Sequence, residues 1–199
     1  EKIRVVGLDA VRCVPQTCSS EVPHVFCHGG GWVFGSSAQS LGLIRRIAHQ
    51  VQRPVVSLDY PLAPENPYPA AILAVADALA ELAEISGVAG VIGGSAGAQV
   101  ALHALARKGR PHVDGAVLFC GAFARQTHSW SHDAFGGSDG RLTSEAMQRF
   151  LNAYAMPAEA YDLDFEGLPP LFLSVGDVDP LLADTLALYA EIAGRGSAD

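Results

Sequence analysis

An α/β fold with a mostly parallel sheet is the class this sequence predicts, on three observations. Short apolar runs alternate with stretches of helical periodicity along the chain, which is the pattern of βαβ units. Two glycine-rich turns, His28-Gly29-Gly30-Gly31 and Gly93-Gly94-Ser95-Ala96-Gly97, each stand between an apolar run and a helix. No internal repeat, low-complexity tract or linker divides the 199 residues, so one domain is expected, long enough for a substantial core. Right-handed crossovers then place helices on both faces of the sheet.

In order, residues 3–14 (Ile3, Val5, Val6, Leu8, Val11, Val14) form one strand or a hairpin. Val22 to Cys27 is a short apolar run that leads into the first glycine turn. From about Ser37 a helix is expected, because Leu41, Ile44, Ile47, Ala48 and Val51 recur on one face. Pro54 to Leu58 is a buried-type strand, and the prolines that follow (Pro61, Pro64, Pro67, Pro69) forbid regular structure. Ile72, Val75, Leu79 and Leu82 mark a second helix; Val88, Val91 and Ile92 mark the strand before Ser95, and Ala98 to Ala106 the helix after it.

Ala116 to Cys120 is the next strand, and residues 121–141, polar and glycine-containing, read as a long loop. Thr143 is placed to cap a helix whose stripe is Met147, Phe150, Leu151 and Tyr154. Leu171 to Val175 is a strand, and Asp179-Pro180 opens a final helix through Leu182, Leu186, Tyr189 and Ile192 that ends at Gly194.

Composition narrows the function. Apolar residues make up 49% of the chain, which is ordinary for a soluble globular protein, and the formal charge is −8 with only two lysines, Lys2 and Lys108. Phosphate neutralisation needs clustered cations, so nucleic acid is excluded as the main partner. Val22 to Ile44 and Ile85 to Ala106 are uncharged and long enough to span a bilayer. The glycines and polar residues inside them fit a strand, a turn and a helix better. With no basic-then-apolar leader at the N-terminus, and with Cys13, Cys18, Cys27 and Cys120 in no C-x-x-C pair, reduced thiols and a cytoplasmic location are expected.

The chemistry is concentrated in the glycine turns. A serine on a sharp strand-to-helix turn projects its hydroxyl from the fold, above helix N–H groups and positive potential. Read alone, Gly93-Gly94-Ser95-Ala96-Gly97 fits the nucleophile elbow of an α/β-hydrolase, or a glycine-rich turn that cradles phosphate. His28-Gly29-Gly30-Gly31 is the independent second signal. Acyl transfer needs preorganised N–H donors around a developing oxyanion, and bare glycine backbone can approach it closely.

Together with Asp59-Tyr60-Pro61-Leu62-Ala63-Pro64-Glu65 and Pro67-Tyr68-Pro69-Ala70-Ala71, these blocks resemble the hormone-sensitive-lipase-like group of bacterial esterases and lipases, over about residues 22–194. The resemblance implies an α/β-hydrolase fold. It implies Ser95 as nucleophile, with the amides of Gly30, Gly31 and Ala96 as the oxyanion hole, Gly29 able to replace one of the first two. His28 would hold the loop, and Asp59 and Glu65 would brace the turn near the site. Trp32, with Val33 and Phe34, would line the acyl pocket, the alternative being a place in the core. Asp179 matches the acid of the catalytic triad, with Asp177 as fallback, and it is equally suited to cap a helix. The family usually has arginine at Pro61 and aspartate at Gly94.

The family order is Ser, Asp, His, yet all seven histidines (His24, His28, His49, His103, His112, His128, His132) precede Asp179. The expectation is therefore a single catalytic domain over residues 1–199 that is incomplete at both ends, lacking the N-terminal cap and the C-terminal strand and helix. The predicted activity is serine carboxylesterase or lipase action on small, short-chain esters, with no cofactor and no metal. A homodimer is left open. The alternative is a non-catalytic small-molecule binder, receptor-like or degenerate, on the same fold.

Overall fold

The computed structural model describes residues 1–124, 128–137 and 142–196. The chain opens with a hairpin, β1 (Lys2–Val5) and β2 (Leu8–Cys13). Val6 and Gly7 both have positive φ, 47° and 78°, which gives a two-residue turn whose twist suits the flanking strands. Then come β3 (His24–Cys27), α1 (Leu41–Val51), β4 (Val55–Leu58), α2 (Ala70–Ile85), β5 (Gly90–Gly94) and α3 (Ala96–Leu105). After β6 (Ala116–Phe119) follow α4 (Trp130–Phe135), α5 (Ser144–Tyr154), a short 3-10 turn at Ala158–Tyr161, β7 (Leu171–Ser174) and α6 (Leu182–Gly196).

The seven strands form one sheet in the order β1-β2-β4-β3-β5-β6-β7. Only the β1–β2 and β2–β4 pairs are antiparallel; β4, β3, β5, β6 and β7 run parallel. Alternation along the strands sorts side chains to two faces. On one, Phe26, Val55 and Ile92 meet Ile44 and Ala48 of α1. On the other, Val25, Cys27, Val56, Leu58 and Val91 meet α2 and α3. Each fully buried Ile or Leu in these layers contributes about 2 kcal/mol. Every residue of α3 is buried, so that helix is the centre of the second layer.

The structure departs from the sequence reading at three places. The helix expected from about Ser37 starts at Leu41, because Ser37 is tied to β4: its amide donates to Asp59 Oδ1 and its hydroxyl to the Ser57 carbonyl. The segment read as one loop over 121–141 contains α4, capped by Ser129 Oγ, which accepts from the His132 amide. The 3-10 turn has no sequence counterpart.

The two uncharged stretches long enough for a bilayer resolve into strand, turn and helix; among the described residues no helix is long and apolar enough to cross a membrane. All four cysteines are free.

Parallel pairing aligns the carboxyl ends of five strands, Leu58 of β4 lying opposite Cys27. Cys27 lies opposite Gly93, Gly94 opposite Phe119, and Phe119 opposite Ser174. The segments after β3, β5, β6 and β7 therefore emerge at one edge, where crevices form in open α/β sheets.

Candidate active site

Ser95 is the first residue after β5 and the N-cap of α3, with φ 54° and ψ −124°. That backbone conformation is unfavourable for a side-chain-bearing residue. Surrounding bonds hold it: the Ser95 amide donates to the Phe119 carbonyl at 3.0 Å, and its own carbonyl accepts from Ala98 at 3.0 Å and from Gln99 at 3.4 Å. The hydroxyl makes no hydrogen bond among the described residues. Small residues let the elbow form. A Cβ at Gly97 would stand 2.2 Å from the His28 carbonyl, so α3 lies directly against the end of β3. A Cβ at Gly94 would stand 2.4 Å from the Phe119 ring, which accounts for glycine where an aspartate is usual.

The glycine turn meets this elbow. A Cβ on Gly29 would lie 3.2 Å from that of Ser95. Gly30 and Gly31 have φ of 131° and 56°, a path open to glycine, and side chains there would collide with Phe34 and Phe150 respectively. The Gly30 carbonyl accepts from Val33 and Phe34 at 3.1 and 3.0 Å, closing the turn. The amides of Gly29, Gly30, Gly31 and Ala96 make no hydrogen bond among the described residues, so they remain as donors.

His28 is 1% exposed, stacks on Tyr60 with centroids 4.3 Å apart, and donates from Nδ1 to the Gly29 carbonyl at 2.8 Å. The Tyr60 hydroxyl donates to the His28 carbonyl. Burial drives the His28 pKa down, against smaller opposing effects of Gly29 and Asp59, and keeps the ring neutral.

The acid side lies across a cavity of about 390 Å³ lined by Ser95, Cys120, Phe135, Leu142, Gly176, Val178, Asp179, Pro180 and Leu181. Asp179 sits just before α6, where Oδ1 accepts from the Leu181 amide at 2.8 Å, and it lies beside the Cys120 thiol in the cavity wall. Burial raises the Cys120 pKa, with the Asp179 carboxylate adding to it. Asp177 is exposed.

Behind the cavity, α4 is tied to α6: Ser131 Oγ donates to the Pro180 carbonyl at 2.7 Å and accepts from the Ala183 amide at 3.1 Å. Asp184, 2% exposed, accepts from the Ala124 amide at 3.2 Å. Burial, reinforced by Asp179, raises its pKa to about 7.

Two expectations are corrected. Trp32 does not line the cavity. It is 1% exposed, donates from Nε1 to Gln99 Oε1 at 3.0 Å, and stacks on Tyr154 with centroids 4.9 Å apart; α5 covers it. Val33 likewise packs against the core, whereas Phe34 is exposed beside Phe150. Glu65 braces nothing: it is exposed and makes no hydrogen bond or ion pair among the described residues, and the turn is held by Asp59 and by Ala63, whose amide donates to the Trp32 carbonyl at 2.8 Å.

Of the other histidines, His128 is exposed, and His132 is buried with Nδ1 against Ser129 Oγ at 2.9 Å. Neither is hydrogen-bonded to Ser95. The sequence reading does not single out Cys120, which lines the cavity, or Gln99, which is buried behind the elbow. Cys120 directly follows an apolar strand, a position that faces the crevice in parallel sheets; Gln99 is a polar residue in an otherwise small, apolar helix.

Comparison with known proteins agrees with this fold. A family model described as the alpha/beta hydrolase fold matches residues 24–198. A protein named esterase from Acinetobacter venetianus is 30% identical over 92% of this chain, which spans 65% of that protein's length. The structure of an esterase from the bacterial hormone-sensitive lipase family superposes with a TM-score of 0.90, at 27% identity over 98% of this chain and 70% of that one. EstE5, in a crystal soaked with p-nitrophenyl butyrate, superposes with a TM-score of 0.86 at 25% identity, over 98% and 70%.

Proposed function

Because the chain belongs to the alpha/beta hydrolase fold family, we propose that it acts as a serine carboxylic ester hydrolase on small, short-chain esters. The observation that carries this reading is that Ser95, whose hydroxyl is unengaged among the described residues, and Asp179 line one cavity, while Gly29 of the glycine turn lies against the Ser95 Cβ.

Ser95 Oγ attacks the ester carbonyl carbon while its proton passes to an imidazole. The carbonyl oxygen becomes an oxyanion held by the amides of Gly30, Gly31 and Ala96, with Gly29 able to stand in for one of the first two. Collapse expels the alcohol, which takes the proton, and leaves an acyl-serine that water hydrolyses to the acid. Asp179 orients the imidazole and stabilises its charged form. Phe135, Leu142, Val178 and Leu181 give the cavity an apolar wall, which suits a short acyl or alkyl chain. The name and the ester soak of the relatives point the same way.

The test uses the complete gene product with p-nitrophenyl butyrate as substrate. Ser95→Ala is expected to lower kcat by at least about a thousandfold, and a fluorophosphonate probe is expected to label Ser95. Equal turnover by Ser95→Ala, or labelling elsewhere, refutes the assignment. The second reading, a non-catalytic binder of small esters or acids, is favoured by one observation: among the described residues no histidine is hydrogen-bonded to Ser95 or Asp179. Saturable binding of butyrate without turnover or labelling selects it.

A further inference from the structure

We propose that Gln99 is a positioning residue for the oxyanion loop, acting through Trp32; this rests on the esterase reading of Ser95. Gln99 is fully buried and lies one helical turn beyond Ser95 on α3, so both residues share a face. Its amide helps close the first turn on the Ser95 carbonyl. Its side chain reaches the other way, accepting from Trp32 Nε1 at 3.0 Å and donating from Nε2 to Met156 Sδ at 2.9 Å. One residue thus joins the elbow, the glycine turn and the segment after α5.

Trp32 needs such a hold. It follows Gly30 and Gly31 with a third consecutive positive φ, 64°, a conformation a bulky residue keeps only when its surroundings over-determine it. Three contacts do so: the Gln99 bond, the Tyr154 stack and the Ala63 amide on its carbonyl. The stack fixes the plane of the indole. Among the described residues the Gln99 bond is the one hydrogen bond to the indole; it ties the ring to α3 and, through the ring, bears on the direction in which the amides at residues 30 and 31 point. Those amides stabilise charge that exists only during reaction, so a displaced loop lowers turnover without weakening ground-state binding.

The experiment measures kcat and KM for p-nitrophenyl butyrate, and Ki for a trifluoromethyl ketone, which adds Ser95 Oγ to form an oxyanionic hemiketal. The variants are Gln99→Met, Trp32→Phe and the double mutant. Trp32→Phe keeps an aromatic ring against Tyr154 but removes the N–H donor together with the second ring of the indole, so Gln99→Met, which removes the acceptor and leaves the indole whole, is read beside it. Each single variant is expected to lose about 10- to 100-fold in kcat, with KM within about twofold and Ki raised in proportion. The double mutant is expected to lose no more than the worse single, because both act through one bond.

Additive losses, a raised KM with kcat unchanged, or lowered thermal stability with normal kcat would overturn the proposal. If Gln99→Met fails to fold, Trp32→Phe decides alone by the same criteria. Turnover that does not depend on Ser95 overturns the esterase reading and this proposal together. Ser95-dependent turnover left intact in both single variants overturns this proposal only.

Discussion

The serine side and the acid side of the cavity are built by different means. Ser95 stands on backbone: strand register, a fully buried helix and glycines at positions where a Cβ would lie within about 2–3 Å of a neighbour. Asp179 stands on polar side chains: its own cap to Leu181 and the Ser131 link from α4 to α6. The first arrangement tolerates almost no added volume, and the second tolerates volume but not the loss of a hydrogen-bonding group.

The largest effect that would sharpen this contrast is Asp179→Asn. Asparagine retains the oxygen that caps Leu181, so the melting temperature should move by only a few degrees, while kcat falls about ten-thousandfold through loss of the negative charge beside the imidazole. A large drop in melting temperature with kcat preserved would show the residue to be only a cap.

On the serine side the prediction reverses. Gly97→Ala places a methyl 2.2 Å from the His28 carbonyl and 2.3 Å from the Cys27 carbonyl. Urea unfolding should then show destabilisation of about 3 kcal/mol, with activity lost along with structure. An alanine variant of unchanged stability would mean that α3 can slide, and the contrast would fail.

The pH dependence of stability divides along the same line. His103 on α3 has its pKa lowered by burial from 6.5 to about 4. It is neutral in the fold, so its contribution is complete above pH 6.5 and is lost as pH falls through 4. Asp184 on α6 has its pKa raised from 3.8 to about 7. Its contribution is complete below pH 3.8 and is lost as pH rises through 7. Between about pH 4 and 6.5 the two slopes oppose each other. Asp184→Asn, which can still accept from Ala124, removes one of them. Its stability should fall by about 3 kcal/mol from pH 6.5 to pH 4, relative to the parent; a profile parallel to the parent's would show that Asp184 is ionised throughout. The lowered His28 and His132 act in the same sense as His103.

The smallest effect belongs to Ser131→Ala, which unlinks α4 from α6. A loss of about 2 kcal/mol is expected in urea unfolding, with a modest fall in kcat. No loss would mean that α4 is held by packing alone.

Legibility followed the same division. Ser95, the glycine turn and the strand-helix alternation could be read because local residues determine them: an elbow needs small neighbours and those neighbours are adjacent in sequence. Asp179 could be read as a cap because an aspartate directly ahead of Pro180 signals a helix start, and its Oδ1 does accept from the Leu181 amide. Helix α4 could not, since six residues among polar and glycine neighbours show no periodicity; only Ser129, a good cap residue ahead of it, hinted at a start. Trp32 was misplaced because the ring that covers it, Tyr154, comes from far along the chain, and no local pattern says which aromatic faces a cavity and which faces another ring. Glu65 shows the converse, a motif residue whose neighbours carry the bracing.

The chain has two tryptophans, and each falls in one of the two regions: Trp32, 1% exposed, at the glycine turn, and Trp130, 57% exposed, at the start of α4. Their emission is separable without any label, the first blue-shifted and shielded from iodide, the second red-shifted and quenched by it. Intrinsic fluorescence can therefore follow the loosening of either side of the cavity in the unmodified protein.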